Sequence, residues 1–200
     1  ALILGGIVGA IVAIVLALPA LRLKSFYFCA GSLGFNIIIT TIAENLPSFT
    51  NGPSGLRQFP LYTNIWWVWG IALLTIYSAY MLKKSYIGRA FISIGQDQDL
   101  AEHLGINLLK YKIIAFGISG FIATIGAILW IHLILNLYPS AFGLTLVFNI
   151  VAMIVIGGMG SISGSILGAA IITFFTEIMS PIEEGFSILG LQIPPLLGLT

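Results

Sequence analysis

Charged side chains are scarce in this sequence. Asp, Glu, Lys and Arg together make up 8% of its 200 residues, against about 25% in a soluble domain. So little charge cannot cover a water-facing surface, and a soluble globular fold is excluded. Cysteine is nearly absent: Cys29 stands alone in an apolar run, so no internal disulfide forms. The two histidines, His103 and His132, lie far apart and have no metal-ligand spacing around them, so no metal site is expected. No G-x-x-x-x-G-K-[ST] phosphate loop occurs, so the chain is not itself an ATPase. Gly158-x-Gly160-Ser161 has a faint likeness to such a loop, but it lacks the lysine and interrupts an apolar helix. Mid-span carboxylates and a clear inverted repeat are both missing, which disfavours an ion-coupled secondary transporter. A membrane enzyme is disfavoured by the lack of any catalytic cluster. A net charge of +1 without a basic stripe gives nucleic acid nothing to bind.

Apolar residues dominate instead. They make up 58% of the chain, and the mean hydropathy is +1.08. This is the composition of a polytopic membrane protein, all-α, a transmembrane helical bundle with about six to seven spans of roughly 20 residues each. Ala1 lies inside an apolar run, and Thr200 follows Pro195-Leu196-Leu197-Gly198-Leu199. The chain therefore reads as a fragment cut within a span at each end, forming one transmembrane domain over 1–200.

The expected spans are 1–21, 26–43, 65–82, 113–135, 144–159 and 163–180. Gly5 and Gly9 give the first a small-residue face, and Gly117, Ser119, Gly120, Ala123 and Gly126 give the fourth another. Pro19 is expected to break the first helix near its end. The second span carries Ser32, Asn36, Thr40 and Thr41. Asn36 and Thr40 are four apart and share a face. Interhelical hydrogen bonding and the lining of a substrate path both account for them. Trp66, Trp67 and Trp69 mark a membrane interface. Gly157-Gly158-Met159-Gly160-Ser161 interrupts the apolar run after 144, and a helix from about Ile162 to Met179 follows, ended by Ser180-Pro181. Gly160, Gly164 and Gly168 are spaced four apart, leaving one ridge bare. Glu177 falls late in that span.

Half of all the charged residues lie between Met81 and Lys112. If this passage is cytoplasmic, so are Arg22, Lys24, Lys83, Lys84, Arg89, Lys110 and Lys112, leaving Arg57 alone outside. The positive-inside rule favours that orientation. Within the passage, residues 97–104 suit a short helix. Asp97 is a good N-cap, Asp99 and Glu102 are acids near the N-terminus, and Gly105 supplies the stop. Leu100, Ala101 and Leu104 are expected on one face. A helix this short is not stable alone in water. Docking into a partner's groove and a plain amphipathic surface loop are both open readings.

Several motifs then bear on that choice. Ile87-Gly88-Arg89-Ala90, Ile94, Ala101, Gly105-Ile106 and Tyr111-Lys112 match in register the pattern I-G-R-A-x-x-A-I-R-x-x-E-x-A-A-x-x-x-G-I-x-x-x-x-Y-K. Leu18-Pro19-Ala20-Leu21-Arg22-Leu23 followed by Tyr27 resembles L-P-A-L-R-L-x-G-x-Y, and Thr50-Asn51-Gly52-Pro53-Ser54-Gly55-Leu56 resembles T-G-G-x-x-G-L. Met153-Ile154-Val155-Ile156-Gly157-Gly158-Met159-Gly160-Ser161, with Gly164 and Leu167-Gly168-Ala169-Ala170, resembles M-V-V-x-G-G-x-G-S-x-x-G-x-x-x-G-A. These belong to the permease subunits of branched-chain amino-acid ABC importers, the LivM-like group, which the chain resembles over nearly its whole length. It departs from the family pattern at Gly95, where Arg is usual, and at Gln98 and Asn149, where Glu is usual.

The resemblance implies a permease subunit that forms half of a membrane pore in the cell (inner) membrane, amid membrane lipid, with no enzymatic activity of its own. A second permease subunit, ABC ATPase subunits and an extracytoplasmic substrate-binding protein are the implied partners. ATP and Mg would be held by the ATPase, and no cofactor by this chain. The cytoplasmic coupling segment would be 82–112, with Gly88, Arg89, Asp97, Asp99, Leu100, Ala101, Leu104 and Gly105 coupling to the ATPase. Gly157, Gly158, Gly160, Gly164 and Gly168 would serve helix break and close packing. Asn36, Thr40 and Asn149 are the candidate translocation path. The implied substrates are branched-chain or related amino acids, with urea, amides and sugars as alternatives.

Overall fold

The structure, a computed structural model, describes residues 2–21, 25–46, 50–52, 55–57, 64–183, 187–188 and 191–192. Arg22, Lys24, Pro53, Ser54 and Glu184, all of them in the sequence reading, lie outside the described residues. The chain falls into two compact units, Ala1–Leu144 and Thr145–Thr200. Each is helical apart from short strand pairs.

In the first unit, α1 spans Leu2–Ala20 and α2 spans Ser25–Asn45. Pro19 lies inside α1, one residue before its end. After the two-residue β1, Leu56–Arg57, come α3 (Ile65–Lys84), α4 (Tyr86–Gln96), α5 (Gln98–His103) and the long α6 (Leu108–Ile134). Next are β2, Asn136–Leu137, and a 3-10 turn, Pro139–Phe142. Helix α7, Leu144–Gly157, leads into the second unit, where α8 covers Ile162–Glu183. Two-residue strands at Ser187–Ile188 (β3) and Leu191–Gln192 (β4) pair antiparallel.

Among the described residues, five segments are long and apolar enough to cross a membrane: Leu2–Ala20, Ile65–Lys84, Leu108–Ile134, Pro139–Gly157 and Ile162–Met179. Helix α2 has 21 residues and carries the polar set Ser32, Asn36, Thr40 and Thr41. The burial pattern is that of a lipid-embedded chain. Large apolar side chains point outward, Leu4 at 71% and Trp66 at 79% exposed, while the buried apolar positions are mostly alanines such as Ala17, Ala20 and Ala101. Lipid replaces water as the solvent of the outer face, so bulk goes outside and small residues go to the contacts.

Helices α1 and α6 make the most extensive packing in the unit. A Cβ on Gly9 would strike Thr124, one on Gly6 would lie 2.6 Å from the Phe121 ring, and one on Gly117 would lie 3.1 Å from Ile14. The contacts run in opposite directions along the two helices, so they are antiparallel. The two small-residue faces visible in the sequence are therefore one interface. Thr124 satisfies its hydroxyl within the helix by donating to the Gly120 carbonyl at 2.8 Å.

This pairing fixes which termini share an end. Antiparallel packing places the exit of α1 beside the start of α6, where Lys110 and Lys112 lie. β1 pairs with β2, Arg57 opposite Asn136, just past the far end of α6. A 27-residue helix is about 40 Å long. Arg57 and the two lysines are thus at opposite ends of a membrane-length rod.

In the second unit, α7 ends at Gly157, and Gly158 and Gly160 turn the chain with φ of 87° and 86°. The Ser161 hydroxyl then caps α8, accepting from the Gly164 amide at 3.1 Å. α8 does not stop at Ser180-Pro181 as the sequence suggested. It continues to Glu183; the proline ring holds φ at about −65°, a helical value.

Candidate coupling and translocation site

The polar passage is two helices with a cap at every joint. Lys83 and Lys84 close α3, where cations suit the negative end of the helix dipole. Ser85 then serves both sides of the bend. Its backbone N–H donates to the Met81 and Leu82 carbonyls, and its hydroxyl oxygen accepts from the Gly88 amide at 3.2 Å. Gly88 is buried here, and a Cβ on it would lie 2.7 Å from the Lys83 Cα. The bend is tight because residue 88 is glycine. Arg89, one step on, is exposed. Ala90 and Ile94 join Gly88 as the buried positions of α4.

Asp97 caps α5 as its sequence position suggested. Its Oδ1 accepts from the amides of Asp99 at 2.9 Å and Leu100 at 3.0 Å. At the other end Gly105 has φ of 79°. The Gly105 amide donates to the Glu102 carbonyl and the Ile106 amide to the Ala101 carbonyl, at 2.9 and 3.1 Å. That paired 5→2 and 6→1 bonding is the Schellman motif, which requires a left-handed residue at that point. Asn107 then caps α6, accepting from the Lys110 amide at 3.1 Å.

The expected docking face divides in two. Leu100 and Leu104 are 58% and 71% exposed, whereas Ala101 is 2% exposed. Ala101 therefore packs inward and holds α5 in place, and the outward face consists of Leu100 and Leu104, flanked by exposed Asp97 and Asp99. The helix itself is Gln98–His103, six residues where eight were expected, because Asp97 and Leu104 are its caps. Two further contacts tie the passage to α6. The Phe91 and Tyr111 rings meet edge to face at 6.3 Å between centroids. The Lys112 ammonium donates to Gln98 Oε1 at 2.9 Å. Ser85, Asn107 and Gln98 were not singled out as functional in the sequence. The signal for Asn107 was there: a capping residue just after a Gly stop and just before an apolar run.

At the opposite end of α6, three elements converge on Phe142. The Asn36 side-chain amide Nδ2 donates to the Phe142 carbonyl at 3.1 Å. The Phe142 ring stands edge-on to Trp130 with centroids 5.7 Å apart. Leu135, in the left-handed region with φ of 63°, turns the chain out of α6 just before this point. Among the described residues no donor reaches Asn36 Oδ1, which is buried. Reversing the amide would set two acceptors face to face, so the orientation is fixed by chemistry. A buried acceptor left unpaired costs about 1–3 kcal/mol. Thr40, by contrast, donates back to its own helix, to the Asn36 and Ile37 carbonyls at 2.9 and 3.0 Å. The shared face expected of Asn36 and Thr40 is thus one reaching group and one satisfied group. Asn149 is exposed on α7, in the other unit.

A groove of about 450 Å³ between α3 and α6, lined by residues such as Ile71, Ile76, Ile125 and Leu129, has Thr75 as its polar member and no charged one. It has too few polar groups to orient a solute. Among the described residues, no group of three or more His, Cys, Asp or Glu could hold a metal ion.

In the second unit, the glycines act by absence of bulk. A Cβ on Gly157 would lie 2.6 Å from the Gly164 carbonyl carbon, and one on Gly168 would lie 2.8 Å from the Gly157 amide nitrogen. The α7 and α8 backbones touch along Gly157, Gly164 and Gly168. Gly158 and Gly160 make the turn and have open space around them.

A family model described as "Branched-chain amino acid transport system / permease component" matches residues 1–186. The chain belongs to this family. As a member of it, the chain is a multi-pass, all-α protein of the cell (inner) membrane. The family is one of ABC-type permeases. Among curated relatives, this permease-family chain is 26% identical over 215 residues to the high-affinity branched-chain amino acid transport system permease protein LivM of Salmonella typhimurium, covering 90% of the chain and 51% of that protein. It is 30% identical over 169 residues to the autoinducer 2 import system permease protein LsrC of Photorhabdus laumondii, covering 80% of the chain and 50% of that protein. It is 25% identical over 122 residues to the ribose import permease protein RbsC of Haemophilus influenzae, covering 58% of the chain and 38% of that protein. The chain spans about half the length of the LivM and LsrC relatives. No solved structure matches it significantly.

Proposed function

We propose that this chain is part of a permease subunit of an ATP-binding-cassette importer that moves branched-chain or related amino acids inward. In this reading the α4–α5 passage faces the cytoplasm. The observation that carries it is the pair Leu100 and Leu104, two large apolar side chains exposed on a short helix fixed by caps at both ends. Lipid does not cover them in a passage this polar, so a protein groove is the natural occupant. Lys83, Lys84, Arg89, Lys110 and Lys112 gather at this end, and Arg57 lies at the other, which supports the same orientation. Separate ATPase subunits, holding ATP and Mg, dock on Leu100 and Leu104. A second permease subunit completes the pore, and a binding protein delivers solute at the Arg57 end.

The solute class rests on the LivM relatives. The ribose and autoinducer 2 permeases support a second reading in which the cargo is a sugar or sugar-like solute. The test is ATP-dependent uptake of isoleucine and of ribose by the full-length protein assembled with its ATPases, second permease and binding proteins. Isoleucine uptake is expected, together with loss of at least tenfold in the double variant Leu100→Asp, Leu104→Asp. Undiminished uptake by that variant rejects the docking assignment, and ribose uptake alone selects the second reading.

A further inference from the structure

The polar passage is charged unevenly. Lys83, Lys84 and Arg89 stand at the elbow between α3 and α4, and the next charged residue is Asp97. Asp97, Asp99 and Glu102 are all exposed on α5 and its cap. The 11-residue α4 holds the two groups about 16 Å apart along its axis, roughly twice the screening length of about 8 Å in physiological salt. The α5 acids therefore do not neutralise the elbow. Lys110 and Lys112 belong with those acids instead, since Lys112 bonds Gln98, between Asp97 and Asp99. Among the described residues no acidic side chain pairs with Lys84 or Arg89.

The elbow lies where a span ends. The membrane-length segment of α3 stops at Lys84. Tyr77, Tyr80 and Lys84 are spaced three and four apart, so they share one face of α3, and both rings are exposed. Lys84 folds back along this face. Its ammonium lies over the Tyr80 ring, 4.4 Å from the centroid. A lysine at the end of a span ordinarily reaches outward to water. This one holds its charge one turn back, at the level of the interfacial tyrosines. The ring takes one side of the ammonium, and the N–H donors on its other sides remain for water or an anion. The bend brings a second cation to the same place. A Cβ on Gly88 would lie 2.7 Å from the Lys83 Cα, and Lys84 and Arg89 are the next residues on the two helices. Tyr86, between them, is 72% exposed.

We propose that this elbow binds the headgroup of an anionic phospholipid, drawn from the cytoplasmic leaflet in the orientation given above. The lipid phosphate accepts from the Lys84 ammonium and from the Arg89 guanidinium, whose fork suits two phosphate oxygens. The upper acyl chains lie along Tyr77 and Tyr80. A zwitterionic lipid brings a cation of its own beside the phosphate, so a lipid of net negative charge is preferred. The site goes beyond the transport reading and does not depend on which solute is carried. It gives Arg89 a lipid partner in place of the ATPase that the family resemblance implies.

The test counts retained lipid. The full-length protein, in the assembly in which it purifies, is extracted from mixed vesicles of phosphatidylglycerol and phosphatidylcholine with identical acyl chains. Native mass spectrometry then gives the ratio of the two lipids held. The wild type is expected to favour phosphatidylglycerol. That preference is expected to fall about fivefold for each of Lys84→Gln and Arg89→Gln. Lys84→Arg is expected to keep it, because arginine also stacks on an aromatic face. Tyr80→Leu is expected to lower it by releasing the ammonium into water. Lys110→Gln removes an equal charge beside the α5 acids and is expected to leave the preference unchanged. An equal fall in Lys110→Gln means diffuse attraction to net charge and overturns the proposal. So does a wild type without preference, or a preference that survives Lys84→Gln combined with Arg89→Gln. If the double variant does not assemble, the single variants are read by the same ratio. The readout is lipid held, so it decides this proposal whether or not the uptake assay supports the transport reading.

Discussion

Lys112 donates to the Gln98 side-chain carbonyl at 2.9 Å across 14 positions of sequence. The bond runs from the first residue of α5 to the first turns of α6, so α5 is tied to α6 by a side chain as well as by the connecting loop. Replacing Gln98 with Glu, the residue usual in the family pattern, converts this bond to an ion pair. Both groups are exposed, so the expected gain in stability is small, at most about 1 kcal/mol, and it shrinks as salt rises. Thermal unfolding of Gln98→Glu in detergent at low and high ionic strength checks this. A gain independent of salt contradicts it.

Asp97 supplies two of the acceptors that the start of α5 needs. A six-residue helix has too few internal bonds to hold itself. Asp97→Ala is therefore expected to cost about 0.5–2 kcal/mol, concentrated on α5. Hydrogen exchange of the amides from Asp99 to Leu104 is the readout. It should accelerate there while the amides in the middle of α6 keep their wild-type rates. Uniform acceleration across both helices means the cap serves the whole unit and not α5 alone.

The parts of this architecture written in local chemistry were readable from sequence. Asp97 as a cap, Gly105 as a left-handed stop and the break at Gly157 to Gly160 each depend on a few adjacent residues, and each was anticipated. The small-residue faces on α1 and α6 were also visible, but not that they meet, because a bare face does not name its partner. Ala101 was placed beside Leu100 and Leu104 by helical spacing. Alanine fits equally well at the edge of an exposed stripe or against a neighbouring helix, and here tertiary packing decided for the second. The Asn36 contact was legible only as a polar residue needing a partner. Its partner is a backbone carbonyl, which every residue carries, so no pattern of side chains points to Phe142.

Gly95 marks a place where the fold does not use its glycine. It is exposed within α4, and a Cβ there would meet nothing within 4 Å. A helix-interior glycine costs roughly 0.5–1 kcal/mol relative to alanine. Gly95→Ala should raise stability by about that amount, and the family's Arg should also be accommodated. Chemical or thermal unfolding of the full-length protein measures it. A destabilised Gly95→Ala implies that another chain covers this face in the assembled protein.

Gly164 is the opposite case. A Cβ there would overlap the Gly157 carbonyl and lie 2.9 Å from its carbon, and the obstacle is backbone. A side-chain obstacle can rotate away, but a helix backbone must shift as a whole. Gly164→Ala is thus expected to push α7 and α8 apart and cost at least about 1–3 kcal/mol. Gly160→Ala makes a useful contrast, since nothing lies within 4 Å of its added Cβ. Its penalty is conformational only, about 1–2 kcal/mol for holding alanine at φ of 86°. Adding a second substitution at Gly157 separates the two effects. Gly157→Ala with Gly164→Ala should cost less than the sum of the singles, because a hairpin already forced open accommodates the second methyl. Unfolding free energies of the four-member cycle in detergent provide the measurement. Additivity in the Gly157/Gly164 cycle would count against direct backbone contact between the two helices.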